Sequence, residues 1–443
     1  MDQGNLENNH INSNMRKVAL TALAGTSIEW YDFFLYGAAA ALIFPTAFFG
    51  EVPPSTALIL SLLTFAAGFI ARPIGGIIFG HFGDKIGRKK TLISALMLMG
   101  ISSTLIGLLP TYAMIGVAAP ILLTLLRFAQ GLAIGGQWGG AMLLVTESAP
   151  SNQRGYYGAF AQAGAPIGVI LANLALIITS ALVSEEFFNT WGWRIPFLAS
   201  AVLIVISMYI QLNLEDTKAF KELAVHKNKQ QGDVETVIQR SPIIEAIRKY
   251  PKRIILAAGA FLSVQVTFYI LIAFLLAYGV QSVNMARDDM LAAVLIASAI
   301  MVPMQFVFSS YSDRHGRRGI FMLGAVLSGL WAFAIFPLVD TGNFLLIVLA
   351  ISGGLIFLAM MYGPQAAFFT ELFSTEVRYS GATLGYQFGA IIGGAFAPTI
   401  AVKLWTELDI FWVSVYIAFA ALLTLLSVMA LTETYQSDLN KTQ

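Results

Sequence analysis

Gly83-Asp84-Lys85-Ile86-Gly87-Arg88-Lys89 is answered 229 residues later, Asp84 to Asp313, by Ser312-Asp313-Arg314-His315-Gly316-Arg317-Arg318. Each segment follows one apolar stretch and precedes another. Two more landmarks keep nearly the same separation. Glu147 and Arg154 are answered by Glu371 and Arg378, 224 residues on, and Leu214-Glu215-Asp216-Thr217 by Leu431-Thr432-Glu433-Thr434. Landmarks in one order at one spacing make the chain a duplication.

Composition names the medium. Of 443 residues, 57% are apolar and 12% charged, against roughly 25% charged in a soluble protein. Most of this surface must meet lipid. Apolar stretches near the roughly 20 residues a spanning helix needs lie at 19–45, 57–80, 91–110, 117–145, 156–182, 195–213, 254–280, 290–310, 319–338, 344–366, 380–402 and 411–431. They predict an all-α membrane protein of twelve transmembrane helices in two six-helix bundles, 19–213 and 254–432. A tail, 1–18, precedes them, a loop, 214–253, joins them and a tail, 433–443, follows. The polar, Asn-rich residues 1–14 read as a disordered tail. The first apolar stretch is too long for a signal-peptide core and is expected to stay as the first span.

Charge placement sets the orientation. With the N-terminus inside, 21 of the 26 Lys and Arg residues fall in the tails and the even-to-odd loops. Arg194, Arg287 and Lys403 remain outside, and Arg72 and Arg127 lie within spans. Basic loops stay cytoplasmic, so both termini are expected there, and the two repeats are parallel. A net charge of +1 implies no nucleic-acid partner. The absence of cysteine excludes disulfides and thiolate metal sites. His10, His81, His226 and His315 are scattered and form no metal constellation, and no cofactor is expected.

Asp-Lys/Arg-x-Gly-Arg-Arg/Lys after spans two and eight resembles the signature of the major facilitator superfamily. Glu29-Trp30-Tyr31-Asp32-Phe33-Phe34, Ala71-Arg72-Pro73-Ile74-Gly75-Gly76, Arg127-x-x-Gln130-Gly131, Gly192-Trp193-Arg194-Ile195-Pro196-Phe197 and Glu371-Leu372-Phe373 with Arg378-Tyr379-Ser380-Gly381 narrow it. Together they are similar to the metabolite:proton symporter family, which includes shikimate, α-ketoglutarate, citrate and proline/betaine transporters, over roughly 17–434. The resemblance implies a major facilitator fold in a bacterial inner membrane. It also implies proton-driven uptake of a small organic acid or zwitterion, with a monomer as the default. Two departures stand out. Gln137, in Gly-Gly-Gln137-Trp138-Gly-Gly, occupies a place where this family commonly has glutamate, which bears on proton coupling. Glu215-Asp216-Thr217-Lys218 lacks the usual Glu-Thr-Pro, in a loop.

Charges in hydrocarbon are expensive, so the few within spans are functional candidates. Glu29 and Asp32, three apart, share one helix face near the midplane. Arg127 enters span four from outside and reaches a similar depth. A carboxylate pair facing this guanidinium makes a proton and substrate station. Arg72 is expected in the inner half of span two, and Gln130 and Gln137 share the stripe of Arg127. Without a glutamate at 137, Arg72 is left to attract an anion. The alternative is that these charges pair only to hold spans one, two and four together, with Gln137 a structural hydrogen bonder. The second half offers Gln265, Tyr269, Tyr362, Gln365, Tyr386 and Gln387, as substrate contacts or as packing.

Asp84, Gly87, Arg88, Glu147, Arg154, Asp313, Gly316, Arg317, Glu371 and Arg378 gather at the expected cytoplasmic ends. Pairs among them either lock the halves in one state and break in the other, or reflect topology alone. The leading function is proton-coupled import by alternating access. The rival is a proton antiporter exporting a metabolite or small drug, since the same acids serve both directions. A channel lacks its filter loop or charged ring here, an enzyme its nucleophile, metal and cofactor motifs, and a sensor its added soluble domain.

Overall fold

Lipid cannot hydrogen-bond a backbone, so a chain this apolar must satisfy its peptide groups within helices. The computed structural model describes residues 3–86, 88–215, 242–374 and 378–435; within these, the side chains at 3–14, 80–89, 92, 136–141, 143–144, 147–148, 210–215, 242–245 and 379 lie outside the description. Twelve long helices run through the described residues: α1 Gln3–Leu42, α2 Pro54–Ile86, α3 Arg88–Leu108, α4 Ala118–Ser148, α5 Arg154–Leu182, α6 Arg194–Glu215, α7 Pro251–Gln281, α8 Arg287–His315, α9 Arg317–Val339, α10 Phe344–Glu371, α11 from Arg378–Gly389 through Ala397–Glu407, and α12 Ile410–Ala430.

Nine of the described helices are long and apolar enough to cross a bilayer unaided, and Glu185–Gly192 with Arg194–Tyr209, bent by 54°, makes ten. α3 contributes the shorter apolar stretch Ile93–Leu108. α1 is long enough, but Glu29 to Asp32 interrupts its apolar run, so the helix that carries candidate acids looks least like a span. Large apolar side chains such as Ile77, Leu125, Val202, Leu330 and Leu422 are exposed around the outside, a belt that only lipid tolerates.

The packing repeats with a shift of six. α2 lies on α4, α1 on α5 and α3 on α6; correspondingly, α8 lies on α10, α7 on α11 and α9 on α12. Across the middle, α5 packs on α8 and α2 on α11, a pair of contacts related by the same shift. The cleft between these two pairs is where the candidate site forms.

One expectation needs correction. Residues 3–14 continue α1 as helix instead of a disordered tail. No proline interrupts them, and adding turns to an existing helix costs far less than starting one. The central loop also holds a short helix, Pro242–Lys249, which leads into α7; residues 216–241 of that loop lie outside the described residues.

Candidate functional site

Arg72 and Arg127 meet because α2 and α4 touch backbone to backbone. A Cβ at Gly75 would strike the carbonyl of Leu132, one at Gly131 the carbonyl of Gly68, and one at Gly135 the carbonyl of Arg72. Small residues at such crossings let spans approach closely. Gly68 leaves the room that the Arg127 guanidinium fills. Both arginines are buried, 1% and 0% exposed.

Asp32 is 1% exposed and faces into the first six helices. Its Oδ1 accepts from the Ser200 hydroxyl of α6, and Ser103 of α3 and Arg127 lie within its electrostatic reach. Ser103 Oγ accepts from Gln130 Nε2 at 2.7 Å, and Arg127 Nη1 donates to Gln130 Oε1 at 3.1 Å. Arg127 and Asp32 are therefore joined through Gln130 and Ser103, not by a direct ion pair. Glu29, one turn earlier, is half-buried.

Aromatic rings surround the cations instead of acids. Arg127 Cζ lies 4.1 Å from the Phe33 ring centroid, 4.3 Å from Tyr36 and 4.7 Å from Phe65. Arg72 Cζ lies 4.2 Å from Phe33, 4.4 Å from Phe69 and 5.3 Å from Trp30. In both arginines Nε and Nη2 have no hydrogen-bond partner. That edge is the one a guanidinium uses to hold a carboxylate bidentately.

The second half supplies phenols and amides. Tyr269 of α7, Tyr362 of α10 and Tyr386 of α11 are all within electrostatic reach of Arg72. With Trp30, Phe34 and Gln265 they line a cleft between the halves. Its free space, about 10 Å³, sits at the limit for one water molecule, so this conformation is closed around the site. Gln265, Gln365 and Gln387 are buried, and Gln265 Nε2, Gln365 Oε1 and Gln387 Oε1 lack partners. Two π-helical turns, Ile270–Phe274 after Tyr269 and Ala390–Ala395 after Gln387, interrupt α7 and α11 beside these residues, a distortion common at functional sites.

Both ends are latched. At the end bearing the basic loops, Arg317 Nη1 contacts Asp313 Oδ1 at 2.7 Å, while its Nε and Nη2 donate to the two oxygens of Glu371 at 3.3 and 3.2 Å. Asp313 crosses between halves and accepts from the Gly155 and Tyr156 amides at the start of α5, both at 2.8 Å. Arg154 reaches Glu371 at 3.8 Å. Thr434 Oγ1 donates to Glu371 at 2.7 Å. Glu433 accepts from the Arg317 and Arg318 amides, capping α9 after Gly316, whose φ is +102°. Burial alone would raise the Glu433 carboxyl, but these two amides with those of Tyr435 and Thr434 outweigh it and hold the group below its usual range. Arg378 Nε donates to the Thr370 carbonyl at 3.0 Å. At the opposite end, Arg287 donates to Asn189 and Ser180 at 3.2 and 3.1 Å, and Asp288 accepts from Ser180 at 2.5 Å.

The Major Facilitator Superfamily profile matches residues 22–384. This chain belongs to the major facilitator superfamily. Its relatives place this major facilitator among metabolite transporters, not enzymes. It is 40% identical to the inner membrane metabolite transport protein YhjE of Escherichia coli (strain K12), over 96% of this chain and 95% of that protein. It is 36% identical to the shikimate transporter of the same strain, over 96% of each, and 34% identical to the proline/betaine transporter of Salmonella typhimurium, over 95% and 84%. The crystal structure of a D-xylose-proton symporter superposes with a TM-score of 0.73 at 16% identity, over 96% and 99% of the two chains; that likeness concerns the fold.

In this major facilitator, the structure gathers Asp32, Arg72, Arg127, Gln130, Gln265, Tyr269, Tyr362 and Tyr386 at the centre, and Arg154, Asp313, Gly316, Arg317 and Glu371 at one latch. Gly87 lies outside the described residues, as do the side chains of Asp84, Arg88, Gln137 and Glu147. The Asp313–Arg317 pair stays within the second half; the crossing is made by Asp313 to backbone amides and by Arg154 to Glu371. Sequence reasoning passed over Ser103 and Ser200, which hold Asp32, and over Phe33, Tyr36 and Phe65. Lone serines in apolar spans were the available signal for the first two; the rings look like ordinary core.

Proposed function

We propose that this major facilitator takes up a small carboxylate-bearing metabolite together with protons across the bacterial inner membrane, by alternating access between bundles 19–213 and 254–432, with both termini cytoplasmic. The observation that carries the reading is a pair of fully buried guanidiniums whose Nε and Nη2 have no hydrogen-bond partner, beside one fully buried carboxylate. With Asp32 ionised, these three groups sum to +1; with Asp32 protonated, to +2. A proton on Asp32 therefore strengthens the pull on an anion, and a bound anion favours the proton. In a site of low dielectric this mutual dependence is large, and it is what makes two cargoes travel together.

Arg72 is the substrate arm, because it faces the cleft tyrosines. Arg127 is the proton arm, tied through Gln130 and Ser103 to Asp32. Two buried guanidiniums against one buried carboxylate at the centre favour an acid over a zwitterion, and so a ligand nearer that of the shikimate relative than of the proline/betaine one. The latches at the two ends would open in turn.

The test is uptake into proteoliposomes under an imposed pH gradient. A panel of labelled shikimate, 2-oxoglutarate, citrate and betaine is added outside. Accumulation of a carboxylic acid when the interior is alkaline, abolished by a protonophore, is the expected result. Accumulation only when the interior is acidic identifies the proton antiporter instead.

A further inference from the structure

We infer that Phe33 is the positioning residue of this site: a single ring is the shared partner of both buried guanidiniums and lets them stay charged without an acid. The inference rests on the reading of the centre as a proton and anion station. Among the described residues Phe33 is the ring that lies against both guanidinium carbons, at 4.2 Å from Arg72 Cζ and 4.1 Å from Arg127 Cζ. Neither arginine is ion-paired with a described residue, although each is buried where an isolated cation is costly.

An acid would relieve that cost by cancelling the charge and filling the donors, as Glu371 does for Arg317. The negative face of an aromatic ring relieves part of it differently. It touches the guanidinium carbon and leaves Nε and Nη2, and the net charge, available to a passing anion. The ring is itself fixed. Phe33 is 1% exposed and packs edge-on against Phe69 and Trp30, with centroids 5.2 and 5.4 Å away, and against Phe65 at 5.0 Å.

Its place in the chain gives the contact a purpose. Phe33 follows Asp32 on α1, so any shift of α1 that accompanies loading of Asp32 carries the ring with it. Arg72 lies outside the Arg127–Gln130–Ser103–Asp32 chain of contacts; Tyr269 is a second side chain within electrostatic reach of both arginines, and Phe33 stacks on both guanidiniums. The ring thus transmits the state of the proton arm to the substrate arm.

The experiment replaces Phe33, in the full chain, with cyclohexylalanine and with mono-, di- and trifluorophenylalanine. Cyclohexylalanine keeps the bulk and removes the π face; fluorine weakens the face stepwise with little change in size. The purified proteins are melted, and shikimate uptake is measured in proteoliposomes. The expected result is a melting temperature that falls with each fluorine. The shikimate KM for cyclohexylalanine should rise about thirtyfold, the scale of a desolvated cation–π contact, with Vmax retained. The fluorine dependence should vanish when both arginines are leucine. A flat melting series, or cyclohexylalanine indistinguishable from phenylalanine in both assays, overturns the proposal. A graded melting series in a chain that carries none of the panel's carboxylic acids upholds the ring contact and rejects the substrate reading instead.

Discussion

Arg317 at the latch and Arg72 at the centre offer the same Nε–Nη2 edge to opposite surroundings. Arg317 closes that edge on Glu371, with Asp313 on its remaining nitrogen, and Thr434 and Arg154 complete the network. Arg72 keeps the edge open and rests on rings. Both are buried, so burial is not what separates them. On the proposed function, the satisfied arginine holds the fold and the unsatisfied one is there to receive a carboxylate. The contrast predicts that equal substitutions in the two places have unequal consequences.

Arg317→Gln should do the most harm to the fold. It leaves Asp313 buried without its cation and Glu371 with only the longer contact to Arg154; breaking a buried pair typically costs about 3–5 kcal/mol, read as a lowered melting temperature of the purified protein. Arg72→Gln should leave the melting temperature unchanged or raised, because an unpaired buried charge is removed. Its uptake of the carboxylic acid should fall about a hundredfold, within the range for losing one partner of a buried charge pair. Were Arg72→Gln to unfold the protein as Arg317→Gln does, the distinction between the two arginines would fail.

Smaller effects sharpen the picture. Gln130→Leu interrupts the path between Arg127 and Asp32 while filling similar space, and takes the Gln130 partner from Arg127 Nη1 and Ser103 Oγ, a cost of roughly 1–3 kcal/mol. The pH profile of uptake should move, with the effect on the profile exceeding that on KM. Thr434→Val removes one hydrogen bond to Glu371 and should cost about 1 kcal/mol, seen in melting and not in substrate affinity. The Glu433 carboxyl is depressed by its amide donors, so its contribution is present above its unfolded pKa and fades as pH falls through the folded one. The melting difference between wild type and Glu433→Gln should therefore be largest at neutral pH and shrink on acidification.

The sequence carried the architecture because lipid imposes a coarse rule: long apolar stretches, with lysine and arginine between them, can be counted. It also exposed Asp32, Arg72 and Arg127, since a charge in a span is rare enough to notice. What it hid were their partners. Ser103, Ser200 and Phe33 are chemically unremarkable residues whose role lies in where α3, α6 and α1 converge, and the two arginines meet through glycine contacts between α2 and α4 more than 50 residues apart in sequence, Gly75 and Gly131 among them. Glu433 was visible only as half of a repeat, without the amides of α9 it caps. Residues 3–14 were misread because composition reports whether a segment can fold alone, not whether a neighbouring helix will extend through it.

In the proposed function Asp32 carries the proton while Arg72 receives the anion. Proteoliposomes loaded with a pH-sensitive dye, with no imposed gradient, test it directly when the transported acid is added outside. The wild type should acidify its interior as substrate enters, whereas Asp32→Asn should still exchange labelled for unlabelled substrate without moving protons. Substrate-driven acidification that persists undiminished in Asp32→Asn would contradict the account.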